Sequence, residues 1–391
     1  SGTYDGSKGV QPSYDNGLTK ANLTWQRSTQ KDLGFDVELF NRRIVLTADI
    51  YDRLTKNGIY KFQLPFYTGY SSVNFNAEDL WVNNRGLDIS INTRNLAPTN
   101  KVQWNSQLVF SYNKNLLAKL PNNNRTFNIS DPYGIPRIYS VGQPIYEFYQ
   151  IIYKGVYNNA KQIPFNPLTG QVLTYYKGGH PIAVGDPIWV DANGDGDVWA
   201  GTDNLPAGNP NPRFTGGFTN DVSYKNFTLT VSSVFTWKRT VVNSFMQKQL
   251  NNMFYNGING FAKSRIPDLS GINYWSPAKA AADPNFNADF PALNPLGGYF
   301  YQYFPWTTTF NVDGSYFKIS MVNLNYMLPR SFAERLRVNR VNVYANATNV
   351  LILKNKNNTM PDPEQVDQTG VYTGGLYPQP KKVTLGVNIQ F

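Results

Sequence analysis

The 391-residue sequence contains no cysteine, which excludes disulfides, thiolate metal sites and thiol nucleophiles together. Histidine is almost as scarce. The single copy, His180, stands in the Gly/Pro-rich stretch "KGGHPIAVGD" with no triad partner or ligand cluster nearby in sequence, and reads as an ordinary loop histidine. No apolar run reaches the roughly 18 residues of a membrane helix, so helical spans are excluded. Neither a P-loop nor a nucleophile elbow occurs. The opening residues "SGTYDGSKGVQPSYDNG" hold no basic n-region, apolar core or cleavage site. The expectation is a chain that starts inside a longer protein, or one whose export signal has been removed.

Acidic residues are outnumbered, 26 against 36 Lys and Arg, for a formal charge of +10. The excess is dispersed apart from short pairs such as Arg42-Arg43 and Lys381-Lys382. Nucleic-acid binding needs a basic stripe on a recognisable module, and neither is present. Membrane lipid, including the phosphates of lipopolysaccharide, or a mildly cationic lumen accounts for the charge better.

Aromatics, by contrast, are abundant. Tyr, Phe and Trp number 26, 24 and 8, and make up 15% of the chain, although hydrophobic residues reach only 41% and mean hydropathy is −0.43. A chain rich in rings without being oily is what a transmembrane barrel gives, where lipid-facing residues alternate with lumen-facing polar ones. The tail "KKVTLGVNIQF" carries that alternation to its last residue: Val383, Leu385, Val387, Ile389 and Phe391 on one side, Lys382, Thr384, Gly386, Asn388 and Gln390 on the other. A terminal aromatic on such a strand suits a barrel-assembly signal, a role expected of Phe391.

The same period recurs upstream. In "DLGFDVELFNRRIVLTADIYDR", Leu33, Phe35, Val37 and Leu39 and then Ile44, Leu46, Ala48 and Ile50 share a face. In "FTGGFTNDVSYKNFTLTVSSVFTWK", Phe214, Phe218, Val222, Tyr224, Phe227, Leu229, Val231, Phe235 and Trp237 do so. Further strands are expected at 84–95, 101–113, 315–328 and 340–351. Short connections (40–43, 96–100, 224–226, 329–339) alternate with long ones (56–82, 114–212, 239–314, 352–380), as short periplasmic turns alternate with long extracellular loops in outer-membrane barrels. The fold class expected is therefore all-β, an antiparallel transmembrane barrel of which this chain supplies about nine strands. An odd count leaves an open edge, intolerable in lipid, so the chain is expected to be the C-terminal part of a larger barrel.

The segments "LTWQRSTQKDLGFDVELFNRRIVLTADIYDRLTK", "VNNRGLDISINT", "VGQPIYEFYQIIYKGVYNN", "DANGDGDVWAGTDN", "GNPNPRFTGGFTNDVSYKNFTLTVSSVF", "VYANATNVLIL" and "YPQPKKVTLGVNIQF" are similar, in that order, to SusC/RagA-like TonB-dependent transporters of Bacteroidetes. The resemblance implies a barrel of about 22 strands in the bacterial outer membrane, with an N-terminal plug and a SusD-like surface lipoprotein as partner. It implies import of glycans or oligopeptides on TonB-derived energy. No plug or TonB box is visible in these residues, so the energy-coupling parts are expected upstream. The rival reading is a family barrel serving as a scaffold in a larger outer-membrane assembly.

Two constellations stand out. In "DANGDGDVWAGTD", Asp191, Asn193, Asp195 and Asp197 alternate with Gly196 at the bend, as hard oxygen ligands of Ca2+ do. The twelfth position is Thr202, however, with Asp203 one place late, and the same residues suit a loop held by Asx turns. The stretch "NPLGGYFYQYFPWTTTF" brings Tyr299, Phe300, Tyr301, Tyr303, Phe304 and Trp306 together. It reads as a girdle or loop core, or as a stacking surface for substrate or partner, with Tyr299, Tyr301, Tyr303 and Trp306 as the contacts. Asp36, Glu38 and Asp49 could approach one another on the wall, but read as solvated lining. No enzyme activity and no required cofactor are expected.

Overall fold

The computed structural model describes residues 24–63, 72–77, 79–166, 169–175, 179–250, 269–283, 285–292, 306–377 and 379–391, with short strand segments at 3–4, 7–8 and 18–19. Nine strands form one antiparallel sheet: β1 (Arg27–Leu39), β2 (Ile44–Lys56), β3 (Trp81–Arg94), β4 (Val102–Lys119), β5 (Phe214–Tyr224), β6 (Phe227–Trp237), β7 (Tyr316–Met327), β8 (Arg340–Lys354) and β9 (Lys382–Gln390). Each pairs with its neighbour in sequence, in unbroken order from β1 to β9. Among the described residues no helix is long and apolar enough to cross a membrane.

The register places apolar residues in rows that run across the sheet. One row joins Phe35, Ala48, Ile89, Phe110, Gly216, Phe235, Phe317 and Leu353; the next joins Val37, Leu46, Ile91, Leu108, Phe218, Ser233, Ile319 and Leu351. Directly opposed residues share a face, so these rows form one apolar surface. On it Leu33, Phe35 and Leu385 remain 57%, 53% and 77% exposed.

Two bands of rings border that surface. Trp104, Tyr224, Phe227 and Tyr326 stand toward the short turns, the last two with centroids 4.4 Å apart. Tyr112, Phe214 and Trp237 stand toward the long loops, in contact at 5.3 and 6.5 Å. Strand β5 spans 11 residues, roughly 33 Å at about 3.3 Å per residue. Tilted by about 45°, that covers roughly 23 Å, close to the apolar height of a barrel wall.

The opposite face is polar. Thr47 donates to Asp36 (2.7 Å), Ser111 to Asp88 (2.5 Å) and Thr230 to Asp221 (2.5 Å). Gly86 and Gly386 lie beneath the rings of Tyr51 and Tyr344, where a Cβ would come within 2.3 Å of the ring carbons. The alternation changes phase within β7, and the ladder shifts register again where Trp81 and Val82 meet Lys119 and Leu117. Ser320 in β7 and Asn349–Val350 in β8 are extra residues at a bulge, with Asn349 at φ 54°. Outward positions are Phe317 and Ile319 on one side of it and Val322, Leu324 and Tyr326 on the other.

The turn end is tight. Phe40, Asn41 and Arg42 run through left-handed backbone, and Tyr224 pairs with Phe227 across two residues. Helix α1 (Arg330–Arg335) fills the connection from β7 to β8. At the other end the long connections fold into a cap. Segments 127–130, 136–139, 147–151 and 204–206 make a four-stranded sheet. Segments 240–243, 311–313 and 371–372 make a sheet that joins two different loops. One core of the cap gathers Ile135, Phe148, Val242, Leu250, Phe310 and Val371 from three connections.

Candidate functional site

A polar inner wall roofed by a packed cap is the place where a passing molecule would meet the protein. On β5 to β9 the lining is mostly neutral, with Asp221 on β5 and Lys318 on β7 among its charged members. Thr230, Asn323, Asn346 and Thr384 stand in one row, and Thr228, Asn325, Tyr344 and Gly386 in the next. The side-chain oxygens of Asn323, Asn325, Asn342 and Asn346 are buried without a hydrogen-bond partner among the described residues, so this face carries acceptor capacity that the strands themselves do not use. On β1 to β3 the same face is acidic. Asp36 accepts from Thr47, Glu38 pairs with Arg42 at 2.7 Å, and Asp49 lies opposite Gly34. The three carboxylates are thus lining, each beside a different neighbour, as a solvated wall requires.

The last long connection folds over the inner face. Lys318, on the inward side of β7 and nearly fully buried, donates to Glu364 at 2.6 Å and Asp362 at 3.4 Å. Tyr316 donates to Glu364 at 3.1 Å, Lys354 to the Met360 carbonyl, and Arg239 to the Pro363 carbonyl at 2.8 Å. A lysine buried beside two carboxylates is held by them, because its charge alone would not be tolerated there. The sequence signal was small: one cation interrupting "YFKISMVNLNYM", with its acidic partners over forty residues away.

The same connection is clamped from above by the loop between β4 and β5. Arg137, buried under the cap, donates to Asp131 at 2.7 Å, to the Tyr146 carbonyl at 2.9 Å and to the Thr369 carbonyl at 2.8 Å, with its guanidinium 3.9 Å from the Phe148 ring centroid. Burial lowers the guanidinium from its usual value, opposed by the hydrogen bond and charge of Asp131. Tyr133 is raised by its bond to Asp367. For Asp367 itself burial pushes upward, yet the Val371 and Thr369 N–H groups and the Thr369 and Tyr133 hydroxyls hold the carboxyl below its ordinary value. Asp186, buried elsewhere in the cap, is pushed up to about 6 by burial, only partly offset by the Ala183 N–H.

The residues singled out in sequence are placed as follows. Asp191 accepts from the Gly194 and Gly196 N–H groups (2.6 and 2.9 Å), Asn193 from Asp195 N–H and Asp195 from Asp197 N–H. Asp197 accepts from the Thr174 hydroxyl. Asp203, fully buried, accepts from the Ala192 and Trp199 N–H groups and the Thr202 hydroxyl. Among the described residues no group of three or more His, Asp or Glu is arranged to hold a metal ion. Trp306 packs into a second cap core, 6.2 Å from Trp189. Tyr299, Tyr301 and Tyr303 lie outside the described residues. Phe391 is 86% exposed on the apolar side of β9. His180 sits in a short strand opposite Tyr175.

Comparison with known proteins agrees with this architecture. The chain is 30% identical over 386 residues to TonB-dependent receptor P3 of Formosa agariphila, covering 95% of this chain. It is 24% identical to TonB-dependent receptor SusC of Bacteroides thetaiotaomicron, again over 95%. Over nearly its whole length the chain is thus similar to part of TonB-dependent receptors. Its place is the bacterial outer membrane, with the apolar rows toward lipid, and its relatives are receptors and transporters rather than enzymes. The chain spans about a third of those relatives' length, 34% and 32%. Its fold matches the RagAB peptide transporter with a TM-score of 0.70 at 20% identity, over 95% of this chain and 36% of that one. No protein-family model matches the chain.

Proposed function

We propose that the receptor barrel imports a nutrient across the outer membrane as part of a longer TonB-dependent protein. Glycans or oligopeptides would bind at the cap and along the inner wall. A SusD-like lipoprotein would deliver them at the loop end, and TonB-derived energy would open the route. The observation that best supports the reading is the inner face itself: a mostly neutral, acceptor-rich lining under a connection that folds inward on Lys318. The kinship with TonB-dependent receptors supports the energy source, and the likeness to a peptide transporter keeps peptides among the candidates. Deleting the full-length gene and supplying labelled glycan and peptide mixtures tests it. Loss of uptake of one class, restored by complementation, is expected; unchanged uptake of every class would favour a scaffold.

The loop at 191–203 is read as self-held, since its own N–H groups and hydroxyls occupy acceptors that a cation would need. Calorimetric titration of the full-length receptor with Ca2+ is expected to give no heat that depends on Asp191. Phe391 is read as an assembly signal: Phe391→Asp is expected to lower outer-membrane levels of the full-length protein sharply, and unchanged levels would leave it only a packing role.

A further inference from the structure

The turn end of the wall, far from the cap, gathers much of the chain's basic excess. Within two residues of the four short connections stand nine Lys and Arg against two acidic residues, Glu38 and Glu334. Arg42 is matched by Glu38 at 2.7 Å. The other eight cations make no ion pair among the described residues. A pocket of about 910 Å³ opens in this cationic mouth, lined from α1 and from the turn ends of β6, β7, β8 and β9.

The register fixes the side on which it opens. Arg340 stands opposite Gln390, one step from the outward pair Val341 and Ile389. Thr228 stands opposite Asn325, one step from the outward pair Phe227 and Tyr326. All four line the pocket, which therefore faces the inner route and not lipid. Lys225 lines it too, but its ammonium lies 5.3 Å from the centroid of the outward Tyr224 ring. That leaves Arg330 and Arg340, both exposed, as the cations of the inner side. Glu334, one helical turn after Arg330, does not pair with either.

Two unspent guanidinium forks suit carboxylates, each of which can accept two parallel N–H bonds. The lining adds the amides of Asn339, Gln390 and Asn325, the last with an Oδ1 that has no partner. Such amides complement the N–H and C=O groups of a peptide main chain. Leu328, Pro329 and Val338 supply an aliphatic patch, and no described residue of the lining is aromatic, so a sugar ring finds nothing there to stack on. We infer that this pocket holds acidic oligopeptides as they leave the barrel, their carboxylates on Arg330 and Arg340. The inference rests on the import reading and narrows its cargo.

The test uses the full-length receptor in mild detergent, where the turn end is open to solvent, and fluorescence anisotropy of a labelled glutamate-rich hexapeptide. Wild type is expected to bind it about tenfold more tightly than the same peptide with glutamine for glutamate. The Arg330→Gln/Arg340→Gln pair is expected to lose that preference. Arg335→Gln/Arg337→Gln, which removes as much charge from the same connection outside the lining, is expected to keep it. Heat-modifiable migration reports whether each variant is a folded barrel. Equal binding of the two peptides by wild type would overturn the proposal, as would a preference that survives in the folded Arg330/Arg340 variant. Equal loss in both double variants would sink it too, since a diffuse field and not the pocket would then be at work. A third probe, an oligogalacturonate, is expected to bind more weakly than the glutamate peptide; tighter binding would overturn the choice of peptide. Uptake of labelled peptides by cells is read separately. A receptor that imports peptides without discriminating between the two hexapeptides loses only this site, whereas one that discriminates between them and imports nothing loses the import reading.

Discussion

The wall and the cap bury their apolar residues in opposite directions. In the wall, Leu33, Phe35 and Leu385 point away from the protein and are more than half exposed, whereas in the cap Ile135, Phe148 and Leu250 are wholly enclosed. Each region follows its solvent. A wall in lipid gains nothing by hiding aliphatic side chains, and is held by a ladder in which every backbone group between neighbouring strands is paired. A cap in water is held by burial, at about 25 cal/mol per Å² of apolar surface, and by polar groups that find partners. One chain therefore obeys two rules, and the same kind of substitution should act differently on the two sides of the rim.

The largest effect is expected in the cap. Asp131→Ala would leave the buried Arg137 guanidinium without its carboxylate and would remove the acceptor of the Tyr133 and Ile135 N–H groups. Breaking a buried pair from one side costs about 3–5 kcal/mol. Hydrogen exchange in the full-length receptor should rise across 120–213 and 355–381, which the pair and the Thr369 contact join, while β1 to β9 keep their protection. Equal loosening of wall and cap would mean that they are not separate units.

In the wall the test is one of face. Leu108 lies midway between the two ring bands on the lipid side, and its neighbour Gln107 lies on the inner side opposite Asn92 and Thr219. A lysine at the lipid midplane costs roughly 2–4 kcal/mol, and far less against a wet lumen. Leu108→Lys should therefore reduce folded barrel, read by heat-modifiable migration, much more than Gln107→Lys. The reverse order would invert every assignment of inside and outside made from the register.

Acid offers a milder probe that only the cap should feel. The Asp186 carboxyl titrates near 6 when folded, against an ordinary value of 3.8, so the folded cap binds this proton more tightly than the unfolded chain does. Stability is then greatest below the ordinary value, falls as pH rises between about 4 and 6, and stays lowered above that, by about 3 kcal/mol in all. Asp186→Asn, which keeps an acceptor for the Ala183 N–H, should slow exchange near residues 157 and 183–186 at pH 7 and flatten its pH dependence. A variant that still loosens between pH 4 and 6 would move the cause to another group.

How much of this was legible beforehand follows from the same contrast. Lipid on one face and water on the other impose period two, so all nine wall strands and the alternation of short and long connections could be read from residues such as Val383 to Phe391. The bulge at Ser320 and Asn349–Val350 could not, because an extra residue leaves each flanking stretch alternating normally. The cap was read as long irregular connections. Its core residues Ile135, Val242, Phe310 and Val371 come from three loops and follow no period, since only tertiary contact selects them. Lys318 was missed for a related reason: a lone cation on a strand looks like lumen lining until Asp362 and Glu364 arrive from a distant loop.

The smallest expected effect measures depth rather than face. Leu229 shares the lipid side with Leu108, yet stands only two residues from Phe227 in the ring band at the turn end and pairs with Val222 and Leu324. A lysine there can extend along the ring band and place its ammonium among headgroups, keeping its stem in the apolar layer. The cost near an interface falls to about 0–1 kcal/mol. Leu229→Lys should thus lower the folded fraction far less than Leu108→Lys in the same assay, although both replace leucine on one face. If the two cost the same, the ring of Phe227 does not mark the membrane boundary. The apolar band would then extend past the turn end, and the roughly 23 Å height drawn from β5 would be too short.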